Sequence, residues 1–342
     1  MKHLIFTAII IFFSVNACSQ KDVGTYYKYV NKAELAICDQ KYAEAGEYYK
    51  KAFVTGVCFI RDLTNAFDVS LLNEDREEET VHYAHLLAQM GHYSQADSTD
   101  NPTLFVRLKT VYDTSKKTFN QAIMDELNQL QEEDQADRKS GCAYQDTCKS
   151  KVNVRDSLRW QQIERLYAKY GDLNEGSAGR FFHNRLHLIL LHNTGWLRFP
   201  HDFLLGQIIL GNFDAREYAY LYDRYYSNNI AAQQNHEEFT KFGTEDIWII
   251  GQTLFINHNE KAMLQINENR KAIFLEPIAD YTSKMICQFV SEGRDNHFLF
   301  YQYVIWKNME EKEREWKENM DLYKDTEGWD LRYFENHDFN TE

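Results

Sequence analysis

Turn-forming residues are scarce in this chain: three prolines (Pro102, Pro200, Pro277) and 15 glycines in 342 residues. A sandwich or propeller needs many turn residues, so this shortage favours long helices. Apolar residues recur at spacings of three and four, the period of a helix with one buried face. The expected class is therefore mainly α, with a core filled by 22 Tyr, 22 Phe and 6 Trp. Hydrophobic residues make up 44% and charged residues 26%, which excludes wholesale disorder. The net charge is −14, and an acidic chain lacks the basic clusters that neutralise phosphates. No nucleic-acid partner is expected.

The first residues read MKHLIFTAIIIFFSVNAC. Lys2 gives a positive start, and Leu4 to Val15 form an apolar run too short to span a bilayer. The end of the run, Val15-Asn16-Ala17-Cys18, resembles the lipobox of bacterial lipoproteins. That resemblance implies a signal peptide at 1–17, lipidation of Cys18 and a tethered linker at 18–23. Several acyl chains give stable anchoring, whereas one does not. Cleavage removes Lys2 and no acid, taking the net charge from −14 to −15. Lipid, not charge, must then hold the body at an anionic surface. Position 19 is Ser, not the Asp associated with inner-membrane retention, and Gln20-Lys21-Asp22 resembles the surface-export tag of Bacteroidota lipoproteins. The expected place is the outer membrane, facing either the cell surface or the periplasm.

Such compartments permit disulfides. Cys142 and Cys148 lie in the polar segment KSGCAYQDTCKS and are expected to bridge. Cys38, Cys58 and Cys287 stand among apolar residues and read as small core side chains. His183 and His187 are four apart, but Asn184 stands where a zinc-protease motif needs Glu. No metal site is expected. No P-loop, G-x-G-x-x-G or G-x-S-x-G spacing occurs, so no cofactor is expected either.

Residues 24–98 form a first region. Tyr29, Ala33, Ala36 and Ile37 share one helical face, a turn follows at Asp39-Gln40, and Tyr42, Ala45, Tyr49, Ala52 and Phe53 continue the pattern. Small residues at Ala33, Ala45 and Ala52 let two helices approach closely. The pair resembles a tetratricopeptide-repeat hairpin. A degenerate second copy is centred on Leu87, Met90, Gly91, Tyr93 and Ala96, with a further helix over about 58–72 between them. Stacked hairpins make concave surfaces, so the resemblance implies a protein or peptide partner, or a scaffold.

The second region, 103–285, is expected to be helical, followed by a C-terminal helix and acidic tail at 286–342. The periodicity predicts one long helix over 104–138, then helices over 154–170 and 177–193. Two more are expected within 202–228, broken near Gly211-Asn212, with a short β-hairpin over 246–257 and helix again over 260–290. Spaced motifs here resemble a bacterial domain family of unknown function. They are Glu133-Asp134-Gln135-x-x-Arg138, Leu191-His192-Asn193, Tyr220-Leu221-Tyr222-Asp223-Arg224, Gln234, Phe242-Gly243-Thr244 and Asn269-Arg270. The resemblance implies candidate positions but no established reaction. His192 and Asp223 are the candidate catalytic groups, with Asp134, Gln135, Arg138, Arg224, Gln234, Thr244 and Arg270 as candidate binding residues. Arginine forks converging on His192 would recognise a small anion and let the imidazole move a proton, as in an enzyme. The same groups could instead form a buried network that fixes helix orientation.

Overall fold

The computed structural model describes residues 21–93, 101–141, 146–171, 173–192, 200–228, 241–244, 247–250, 253–256, 260–291, 298–300 and 330–332. Cys18, Cys142, Gln234 and most of the C-terminal helix and acidic tail expected at 286–342 lie outside these residues.

The chain enters at a capped helix. The Asp22 carboxylate accepts from the Thr25 N–H at 3.0 Å and starts α1, Val23–Cys38. Gln40 takes a positive φ of 60°, where the repeat pattern usually carries Gly. Lys41 donates its N–H back to the Ala36 carbonyl at 2.8 Å, which closes the turn. Helix α2, Tyr42–Phe53, then packs back on α1 with Ala33, Ala45 and Ala52 fully buried at the contact. Helix α3, Ile60–Leu71, follows, then a single 3-10 turn at Glu74–Arg76 and α4, Glu77–Gln89. Three glutamates in the first turn of α4 complement the helix dipole.

The long helix expected over 104–138 is two helices, α5 (Pro102–Thr114) and α6 (Gln121–Lys139). The break has a local cause. The Asn120 side chain caps α6 by accepting from the Ala122 N–H, and the Thr118 and Asn120 N–H groups donate to the Gln89 and Ser177 carbonyls. Periodicity continued across the gap because apolar spacing does not register a cap. Helix α7, Asp146–Tyr170, comes next, then the short α8, Glu175–Ala178, whose Asn174 and Ser177 form a capping box. Gly179, at φ 83°, separates α8 from α9, Phe182–His192.

Helices α10 (His201–Ile209) and α11 (Ala215–Asn228) flank the break at Gly211-Asn212. Strands β1 (Ile247–Ile250) and β2 (Thr253–Ile256) pair antiparallel, with Trp248 opposite Phe255. A short β3, Asp330–Arg332, pairs with the other edge of β2. Residues 260–290 hold two helices, α12 (Glu260–Ala272) and α13 (Ile278–Ser291), split before Pro277. The protein is thus mainly helical, and none of its described helices is long and apolar enough to cross a membrane.

Two apolar clusters make the core. One joins Tyr26 and Tyr27 of α1 to Leu127, Phe182, Phe213 and Tyr218. The other joins Ala33 and Ile37 of α1 to Leu63, Leu87, Leu108, Ile278 and Phe300. Helix α1 therefore contributes to both, and residues of both regions share them.

Cys38 and Cys287 are not simple core side chains: they form a disulfide, with Cα atoms 5.5 Å apart and a sequence separation of 249. Spacing could not reveal it, because the pairing depends on α13 lying along α1. Cys148 is also disulfide-bonded, and Cys58 is a free thiol. Cys38→Ala, or reduction of the native chain, should cost about 2–5 kcal/mol. Thermal unfolding with and without reductant measures it, and a Cys38–Cys287 cross-linked peptide should appear only in the non-reduced digest.

Candidate functional site

Helices α6, α7 and α9 meet at a polar corner. Asp134, Gln135 and Arg138 lie on the last turns of α6, and His192 is the last residue of α9. Asp134 Oδ2 pairs with His192 Nδ1 at 2.6 Å and accepts from Gln135 Nε2 at 3.0 Å. Arg138 Nη2 reaches Asp134 at 3.3 Å, Asp156 at 2.8 Å and the His192 carbonyl at 3.0 Å. That last bond supplies a partner to an orphan carbonyl at the C-terminus of α9. Two α7 residues complete the corner without a sequence motif: Arg159 donates to Asp156 at 2.6 Å and to the Glu133 carbonyl at 3.1 Å. Burial works against the charge of Asp134, but His192, Arg138 and Arg159 hold its carboxyl below the usual carboxylate range. Asp156, more strongly desolvated than its arginines compensate, is raised instead.

Asp223, Thr244 and Arg270 gather elsewhere, around Phe242. Asp223 of α11 accepts from the Phe242 and Thr244 N–H groups at 3.1 and 2.9 Å and from the Thr244 hydroxyl at 2.7 Å. Arg270, fully buried, donates to the Phe242 carbonyl at 2.9 Å and to Glu276 at 3.0 Å. These bonds pin the 241–244 segment between α11 and α12. Among the described residues, the hydrogen bonds and ion pairs of this group do not reach the His192 corner. Of the arginines considered for convergence on His192, Arg138 bonds the His192 carbonyl, whereas Arg270 bonds Phe242 and Glu276. The motifs lie on separate helix ends and clamp each one locally.

The largest assembly of charge was not legible as a motif. Arg216, 3% exposed, donates to Glu34 at 3.0 Å, to Asp62 at 2.7 Å and to Asp214 at 2.9 Å. Arg61 also reaches Asp214, at 2.6 Å. Lys284 of α13 bridges Glu34 at 2.6 Å and Glu276 at 3.1 Å, which leads on to Arg270. Tyr27 Oη donates to Asp214 and accepts from the Ala215 N–H. His183 and His187, the pair considered for a metal, face Glu175 at 3.0 Å and Glu217 at 2.9 Å. No group of His, Cys, Asp or Glu able to hold a metal ion occurs among the described residues. The available signal was charge at core-facing positions: Glu34 inside Ala33-Glu34-Leu35-Ala36-Ile37, and Asp214-Ala215-Arg216-Glu217 opening a helix.

Chemically, these arrangements hold more than they bind. The guanidiniums of Arg138, Arg159, Arg216 and Arg270 are directed onto carboxylates and carbonyls of the protein itself. His192 is the corner's solvent edge, with a side chain 26% exposed. A recess of about 210 Å³ lies between α6 and α7, lined by Glu126, Leu130, Glu133, Arg165, Leu166 and Lys169. It carries both signs of charge around an apolar floor.

Two outcomes follow from this electrostatic arrangement. Arg216→Met should destabilise the fold by about 3–5 kcal/mol in denaturant titration, because three buried carboxylates lose their common partner. Burial opposes the charge of His183, yet Glu175 raises its pKa above the ordinary imidazole value. The pair's contribution is complete below the unfolded value of about 6.5 and is lost as pH rises through the higher folded value. The stability difference between wild type and His183→Gln should therefore shrink above pH 6.5 or so, measured as Tm across pH. Compared with protein-family models, with curated proteins and with solved structures, the chain matches none.

Proposed function

We propose that this chain is a lipid-anchored envelope protein whose helical body acts as a scaffold or as a binding module for a protein or peptide. The observation that carries the reading is that Arg138, Arg159, Arg216 and Arg270 each bond carboxylates and carbonyls of the protein itself. The arginines that would cradle an anion are spent on orienting helices, so the polar network serves rigidity. A rigid body on a lipid tether suits the presentation of a surface to a partner. The Cys38–Cys287 bond supports placing that body in an oxidising compartment, where the lipobox-like Val15-Asn16-Ala17-Cys18 would deliver it. In this reading Cys18 carries the lipid, the outer membrane is the site, and the recess between α6 and α7 offers a peptide both apolar contact and paired charge.

One observation favours a second reading, a small-anion site or enzyme. His192 is oriented through Nδ1 by a buried carboxylate and its side chain is partly open to solvent, the arrangement a proton carrier requires.

The two readings separate in two measurements. In fractionated cells, the wild-type chain should sediment with the outer membrane, and Cys18→Ser should move it to the soluble fraction. An unmodified Cys18 in the mass spectrum of the N-terminal peptide would defeat the anchored reading. In calorimetric titration with inorganic phosphate, no saturable binding is expected. Saturable binding abolished by His192→Gln at unchanged Tm would replace the scaffold by the anion site.

A further inference from the structure

The described chain begins three residues after Cys18, and its first residues are fastened to one place on the body. Lys21 Nζ donates to Asn212 Oδ1 at 2.9 Å and to the Gly211 carbonyl at 3.5 Å. The Asp22 N–H donates to the Thr55 carbonyl at 3.1 Å. Gly211, at φ 65°, is closely packed: a Cβ there would lie 3.0 Å from Val57 and 3.1 Å from the Lys21 stem. The turn after α10 is thus packed directly on the point where the chain enters the fold.

Around that point the body exposes large apolar side chains. Ile209 and Leu210, immediately before Gly211, are 62% and 52% exposed, and Val54, beside Thr55, is 83% exposed. Three extended residues reach at most about 10 Å. A lipid on Cys18 would therefore be tethered within about 10 Å of backbone from the point where Lys21 and Asp22 join the fold.

We propose that Ile209 and Leu210, with Val54, form the membrane-contacting tip of the protein and sit in the interfacial layer of the bilayer that holds the Cys18 lipid. This rests on the lipid-anchored reading and adds an orientation to it. The occupant is a lipid surface because the tether leaves these side chains no more distant neighbour to meet first. An acidic body of charge −15 is repelled by anionic headgroups, so the contact is made by apolar side chains. Helix α1 then leads away from the membrane for about 24 Å. The Asp39-Gln40 turn and the Cys38–Cys287 bond occupy the distal end.

The test places the photoreactive residue benzoyl-phenylalanine at 209, at 210 or, as a control, at 264 in the full chain. Leu264 is 70% exposed but lies on α12, about 12 Å of helix back from the end whose following residue, Phe274, meets Gly24. Membranes are illuminated and adducts are read by mass spectrometry. Lipid adducts at 209 and 210 and none at 264 are the expected result. A lipid-bearing N-terminal peptide with no adduct at 209 or 210, or with equal adduct at 264, overturns the proposed orientation. An N-terminal peptide without lipid instead defeats the anchored reading. In that case the chain from residue 18 is coupled through its first thiol to maleimide-headgroup lipid in phosphatidylethanolamine–phosphatidylglycerol vesicles. The same comparison of 209 and 210 with 264 then decides whether this tip meets the bilayer.

Discussion

Everything else in the fold accommodates one buried guanidinium. Arg216 takes carboxylates from α1, α3 and the start of α11 at once, and Lys284 extends the same chain of charge to α13. Charges this deep are tolerated only when each has its partners, since the desolvation penalty of a single unpaired member exceeds what a typical contact returns. The network therefore acts as a registration device. If α1 slides by one turn against α11, Glu34 leaves Arg216 and Lys284 together. Burial pushes the Glu34 carboxyl upward despite both cations, while Arg216 and Arg61 overcome burial to hold Asp214 low. Neighbouring acids in one network thus experience opposite balances of the same two effects.

The His192 corner repeats that logic at smaller scale. Arg138 satisfies the terminal carbonyl of α9, Asp134 fixes the imidazole, and Arg159 ties α7 to α6. Arg138 and Arg159 each spread their hydrogen bonds over carboxylate and carbonyl oxygens of the protein itself. The same economy explains how a helical body with few turn residues keeps one arrangement: apolar faces supply the burial, and the charge pairs choose among the packings that burial would allow. The disulfide adds a covalent limit at the far end of α1, so that helix is held by charge along its middle and by sulfur at its end.

Much of the local structure was legible. The Tyr42–Phe53 pattern, the Asp39-Gln40 turn, the helix near 58–72 and the break at Gly211-Asn212 follow from spacing and turn chemistry alone. The α5–α6 break was not, because Leu108, Val111, Phe119 and Ile123 keep a helical period across a segment whose backbone bonds go to Gln89 and Ser177. At the site, Asp134 and Arg138 were readable as an i, i+4 pair, but spacing did not show that Asp134 would hold the His192 imidazole. Asp156 and Arg159, which complete the corner, sit on an amphipathic helix with nothing to distinguish them from surface charge. Asp223 was read as a candidate catalytic group and Arg270 as a candidate binding residue; in the fold both bond the backbone of Phe242.

The sequence by itself determined the class: scarce proline and glycine with a three-and-four period leave little but helices. Only the tertiary structure decided which charges are paired and which cysteines are joined. Glu34 meets Arg216 and Cys38 meets Cys287 across 182 and 249 residues of chain. Neither a carboxylate nor a thiol carries in its neighbours any trace of so distant a partner. That choice is made when apolar faces bring the helices together, and the buried charges then accept or reject the result.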